Sequence, residues 1–148
     1  MKKPLFILLI ALMAGSAFAL DIYDWDTSLV AAQEEAATEG KNLFVYFAGS
    51  DWCGWCDRFH REVLTTSRFE GYLDENFVPV LIDFPRDIQQ TEEQKEANEA
   101  LAVRMGIEGF PTVIIMDGNG NELGRLGYLP GGPNNYISEV RSIVRTNS

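Results

Sequence analysis

The chain has 148 residues and carries 12 Lys and Arg against 22 Asp and Glu, a formal charge of −10 at neutral pH. That balance argues against nucleic acid or anionic lipid as a partner, since phosphate binding draws on clustered Lys and Arg. With two cysteines and one histidine the sequence cannot supply the four Cys or His ligands of a structural zinc site, so neither a metal nor another cofactor is expected.

Residues 1–19 read as a cleaved signal peptide. Lys2 and Lys3 give a positive start, "PLFILLIALMAG" is the apolar run, and Ala17, Phe18 and Ala19 present small residues near a cleavage point. Pro4, Gly15 and Ser16 leave the run short of the roughly 20 apolar residues of a membrane span, so membrane insertion is not expected. Residues 20–148 then form one domain, long enough to bury a core without disulfides. Without Lys2 and Lys3 that domain has 10 basic and 22 acidic residues, a formal charge of −12 spread over a solvated surface.

The mature chain opens with a helix that Thr27 or Ser28 caps and Gly40 stops, with Leu29, Ala32, Ala36 and Ala37 near one face. "NLFVYFAGS" is a continuous apolar run and predicts a buried central strand. A helix follows from Gly54 to about Leu64, and Ser67 caps another that runs through Asn76. "FVPVLIDF" is a second buried strand, whose Pro79 lacks a ladder donor and implies an edge or a bulge. After a loop, Thr91 and Gln94 fit a capping box for a helix that Gly106 ends. "TVIIMDGNGNELGRLG" reads as a hairpin, and "NNYISEVRSIVRT" as a closing amphipathic helix with Tyr136, Ile137, Val140, Ile143 and Val144 on one side. Strand–helix–strand units imply parallel pairing and the hairpin adds antiparallel strands, so the expected fold is α/β with a mixed sheet covered by helices on both faces.

Both cysteines lie in "SDWCGWCDRFHREV" and could be a structural disulfide, half of a metal site or a redox pair. A staple across two intervening residues closes a tiny loop and stabilises little in the chain-entropy model. Redox exchange uses both sulfurs. Cys53 falls at a strand-to-helix junction, where orphan N–H groups and the helix dipole favour a thiolate, so it is the expected nucleophile. Cys56, one turn on and more buried, is expected to resolve the mixed disulfide. Trp52 borders the exposed sulfur, and Trp55 at an exposed helix start has no obvious core to fill. His60, four residues after Cys56, reads first as a surface residue and second as a partner for that sulfur.

"FVYFAGSDWCGWC" resembles the strand, loop and W-C-x-x-C site of the thioredoxin superfamily, and "GIEGFPT" resembles its cis-proline segment. "LGRLGY" resembles its last strand. The resemblance covers roughly residues 24–146, with closer likeness to secreted bacterial thioredoxin-like proteins and to the C-terminal domain of periplasmic electron-transfer proteins. It implies a thioredoxin fold, with Pro111 beside the cysteines, Phe110 offering backbone to an extended substrate, and Gly127 clearing room at the site. It also implies an exported thiol–disulfide oxidoreductase, periplasmic or secreted, acting as a monomer on protein thiols and disulfides, with a membrane reductase as electron donor.

The chain departs from thioredoxin in having Gly54-Trp55 between the cysteines and Tyr46 where the family has a buried Asp. Glu62 or a water is then the candidate proton acceptor for Cys56. Asp51, expected to be solvated, and Asp57 add negative charge that would raise a nearby thiol pKa, which points to a reductant or exchange partner rather than a strong oxidant. The alternative is a binding or chaperone-like module that docks partners on Trp52, Trp55 and Phe110 around a closed disulfide.

Overall fold

Strand β1, Asn42–Ala48, is buried along six consecutive residues, and its alternate side chains feed two separate cores. Phe44, Tyr46 and Ala48 enter one; Leu43, Val45 and Phe47 enter the other. A strand covered on both faces has no reason to alternate polar with apolar residues, hence its continuous run. The computed structural model describes residues 21–147, so the signal peptide expected over residues 1–19 lies outside the described residues.

Three more strands complete a sheet of order β2-β1-β3-β4. β2, Phe77–Asp83, pairs parallel with β1, while β3, Thr112–Met116, runs antiparallel to it. β4, Glu122–Leu126, returns antiparallel to β3. Pro79 fits because β2 is an edge strand. The Leu81 N–H points outward to the Asp26 carbonyl (2.8 Å), and Pro79, two residues earlier, has the same orientation, so its missing N–H removes no bond to β1.

Helices cover both faces, as expected. α1, Leu29–Glu39, and α4, Glu92–Met105, lie over the core that contains Ala32, Ala36 and Leu101. On the opposite face sit α2, Gly54–Phe59, which runs on as a π-helical turn over His60–Leu64, then α3, Ser67–Asn76, and α5, Gly132–Asn147. They contribute Phe59, Val63, Phe69, Leu73, Tyr136, Ile137 and Val140 to the first core. No helix among the described residues is long and apolar enough to cross a membrane.

Several local expectations are corrected. Ala37 is exposed, because the inward line of α1 runs through Ala32 and Ala36 and one further residue turns about 100° away from it. Thr66, not Ser67, caps α3, its Oγ1 accepting the Phe69 N–H at 3.3 Å. The capping box at α4 is half formed: Thr91 Oγ1 accepts the Gln94 N–H, but the Gln94 amide donates to Asn98 Oδ1 and the Thr27 carbonyl. Ser28 caps α1 and Gly40 and Gly106 end their helices with φ near +65°, which glycine adopts without a Cβ penalty.

Candidate active site

The loop after β1 delivers Cys53 to the start of α2. The Gly49 carbonyl accepts the Cys53 N–H at 2.9 Å and the Trp52 N–H at 3.3 Å, which turns the chain sharply. Gly49 is required there, since a Cβ would overlap the Trp52 indole. Cys53 is the N-cap residue of α2, and its Sγ accepts the Cys56 N–H at 3.2 Å. Cys53 and Cys56 are joined as a disulfide, with their Cα atoms 5.2 Å apart. Both are buried, Cys53 at 8% relative exposure and Cys56 at 4%, a small difference in the expected sense.

Aromatic rings flank the disulfide loop on two sides. Trp52, 40% exposed, donates from Nε1 to the Phe84 carbonyl at 2.7 Å and meets the Phe110 ring edge-on at 5.9 Å. Phe110 stacks on Phe84 at 5.1 Å and is joined to Pro111 through a cis peptide bond. The Arg86 guanidinium lies 4.0 Å from the Trp52 ring centroid. On the α2 side, Trp55 is 58% exposed and packs against Tyr128 at 5.5 Å, with the Arg58 guanidinium over both rings. Gly127 sits beside Pro111, but a Cβ there would meet the Pro111 carbonyl at 3.6 Å, an ordinary contact. Within the chain itself an alanine would therefore fit at this position.

Three consecutive residues before Cys53 tie the loop to the far end of β2. Ser50 donates from N and Oγ to the Asp83 carboxylate at 2.9 and 2.5 Å. The Asp51 carboxylate accepts the N–H groups of Arg86, Asp87 and Ile88 at 2.7–3.1 Å. Those N–H groups, Arg86 first, hold its carboxyl below the ordinary range. The solvated charge expected at Asp51 is thus a loop anchor, and Asp57 pairs with Arg61 at 3.0 Å. Neither charge stands free beside the thiols, so the argument from them for a reductant is weakened. Behind β2, buried Asn98 donates to the Asp83 carbonyl at 2.9 Å.

Tyr46 at the family's Asp position, the candidate proton acceptor Glu62 and the candidate sulfur partner His60 are placed differently from one another. Tyr46 is buried in the same core as both cysteines, edge-on to Phe59 and Trp25. Glu62 lies at the rim instead. Its oxygens accept from the Tyr128 hydroxyl at 2.5 Å and from Arg58 Nε at 2.7 Å, and these two, in that order, depress its pKa. His60 faces Asp21, Nε2 to Oδ1 3.8 Å. Sequence reasoning missed Asp83, Phe84, Arg86 and Tyr128. The signals available were the long "FPRDIQQTEEQ" segment and an aromatic residue directly after Gly127.

Comparison with known proteins agrees with this geometry. The family described as the thioredoxin-like domain matches residues 29–135. Disulfide bond reductase DsbH of Chlamydia pneumoniae is 34% identical over 121 residues, which span 82% of this chain and 72% of that protein. Thioredoxin-related protein DsbJ of Chlamydia pneumoniae is 28% identical over 103 residues, 70% of this chain and 30% of DsbJ. A solved structure titled DsbH Oxidoreductase superposes with a TM-score of 0.77 at 33% identity, covering 82% of this chain and 83% of its own.

Proposed function

The chain belongs to the thioredoxin-like domain family and is a thiol–disulfide oxidoreductase of thioredoxin fold, and from that premise we propose that it works outside the cytoplasm on cysteines of other proteins. Cys53 is the attacking sulfur. As thiolate it displaces one sulfur of a substrate disulfide, forming a mixed disulfide and releasing the first substrate thiolate. Cys56, losing its proton, then attacks Cys53 Sγ and releases the second. Two electrons pass to the substrate, and the protein is left with the Cys53–Cys56 disulfide.

The observation that carries this reading is the placement of Cys53 as N-cap of α2, with the Cys56 N–H donating to its sulfur. The same donor and the helix start favour a thiolate once the disulfide opens. Trp52, Phe110 and Pro111 border the side on which an extended substrate would lie, and Trp55 borders the other. Gly127 is the least supported of these contacts. The direction assigned is that of a reductant or exchange partner, and its support is the 34% identity to a protein named disulfide bond reductase. Residues 1–19 act as the export signal and residues 20–148 as the mature, monomeric domain. In an oxidising compartment a reductant needs a donor of electrons, which we assign to a membrane reductase.

Equilibrium of the Cys53–Cys56 pair with dithiothreitol or glutathione buffers tests the direction. A potential near about −270 mV, as in thioredoxin, supports a reductant, whereas one near about −120 mV refutes it. Exchange should vanish in Cys53→Ser, while Cys56→Ser should accumulate the mixed disulfide. A pair that never equilibrates would favour the docking-module reading, to which the exposed Trp52 and Trp55 also lend themselves.

A further inference from the structure

We propose that Arg86 is a specificity-determining residue that selects substrates with an Asp or Glu beside the target cysteine. The inference rests on the thiol–disulfide exchange reading and adds a chemical class of substrate to it. Arg86 is exposed, and its guanidinium forms no ion pair or side-chain hydrogen bond among the described residues, in a chain with nearly twice as many acidic as basic residues. Asp51, which accepts the Arg86 N–H, has its carboxylate committed to three backbone N–H groups, and neither Asp83 nor the adjacent Asp87 forms an ion pair with Arg86 among the described residues.

Both ends of Arg86 are held. The Asp51 bond fixes its backbone, and the Trp52 ring carries the guanidinium 4.0 Å from its centroid. A guanidinium held over a ring keeps its in-plane N–H donors directed outward, in the fork that accepts a carboxylate through two parallel bonds. Because the stacking already orders the side chain, less rotamer freedom remains to be lost on binding. Trp52 directly precedes Cys53 and touches Phe110, so this donor fork stands at the edge of the path assigned to the substrate backbone. Arg58, the corresponding cation over Trp55, already pairs through Nε with the Glu62 carboxylate, whereas no carboxylate pairs with the Arg86 guanidinium among the described residues.

Short peptides with one central cysteine flanked by Glu, Gln or Lys test this. Their exchange rates as mixed disulfides with 2-mercaptoethanol are measured against the reduced protein. Binding of the matching serine peptides to the oxidised protein is followed separately by the NMR shift of the Trp52 indole. Arg145→Gln serves as the charge-matched control, because neighbouring Val144 lines a cleft with Asn42 and Phe77 at the opposite end of the sheet from Cys53. Relative to wild type, Arg86→Gln should lower the Glu-to-Lys preference by about two- to five-fold, the range of an exposed ion pair. Arg145→Gln should leave the preference unchanged, Arg86→Lys should restore only part of it, and high salt should erase it. An equal preference in wild type and Arg86→Gln, in both rate and binding, overturns the assignment. Absence of exchange with every peptide, alongside an Arg86-dependent binding preference, would instead refute the exchange reading and leave the Arg86 site standing.

Discussion

The contact between Ser50 and Asp83 should hold the cysteine loop against β2, and its strength can be worked from the geometry. Ser50 gives the Asp83 carboxylate two hydrogen bonds, 2.9 Å from N and 2.5 Å from Oγ, at a half-buried position. A hydrogen bond to a charged acceptor contributes about 1.5–3 kcal/mol, and partial exposure places these at or below the lower end. Ser50→Ala removes the Oγ bond alone and should cost about 1 kcal/mol. Asp83→Ala removes both and strands the Ser50 N–H, for about 2–3 kcal/mol. With Asp83 already gone, Ser50→Ala has little left to lose, so the double variant should be less destabilised than the sum of the singles by about 1 kcal/mol. Urea melts provide the assay: Asp83→Ala should shift the midpoint down by about 1 M at an m-value of about 2 kcal/mol/M. Additivity within about 0.3 kcal/mol would show that the two side chains do not support each other, and the clamp assigned to this loop would have to be abandoned.

At the α2 rim, Tyr128→Phe deletes the bond that does most to lower the Glu62 pKa, leaving Arg58 and, less strongly, Arg61 to lower it. The Glu62 midpoint, read from its side-chain carboxyl carbon by NMR, should rise toward the ordinary value of 4.5, and an unmoved midpoint would refute the assignment. Because the folded-state pKa is depressed, the stabilisation from this contact is present above pH about 4.5 and is lost as pH falls through the folded value; in Tyr128→Phe that loss should be smaller and complete at higher pH. In the core, the Tyr136 hydroxyl is buried with no hydrogen-bond partner among the described residues, and burial pushes its pKa up. Tyr136→Phe should therefore be neutral or stabilising in urea melts, and a loss above about 1 kcal/mol would reveal a bond that this packing does not contain.

What the sequence made legible follows from local chemistry. The apolar run of β1 requires two covered faces, and Cys53 at a strand-to-helix junction requires an N-cap position; both follow from neighbours in the chain. The helix stops at Gly40 and Gly106 are local as well. What escaped depends on register. Asp83 reaches Ser50 because β1 and β2 pair in parallel with Ala48 opposite Asp83, and no pattern in either segment encodes that alignment. Asp51 looked like a free surface charge because the N–H groups that donate to it lie 35–37 residues away. Tyr128 reads as the end of a strand, whereas α2 and the π-helical turn after it bring Trp55 and Glu62 against it.

The bonds around the cysteines also account for the length of the segment between β2 and α4. Residues 84–91 separate the two elements, longer than the two to six residues that usually join a strand to a helix in such folds. A short connection would leave Asp51 without N–H partners and the Trp52 indole without the Phe84 carbonyl. The longer one lets Ser50, Asp51 and Trp52 each bind a different part of the stretch from Asp83 to Ile88, through a hydroxyl and amide, a carboxylate and an indole in turn. The residues that hold the loop in place are therefore the same ones that bring Phe84 under Phe110 and Arg86 over Trp52. Positioning of the redox pair and the chemistry of its rim are built by one segment, so substitutions within residues 83–88 should change substrate choice even though they lie some 30 residues from either cysteine.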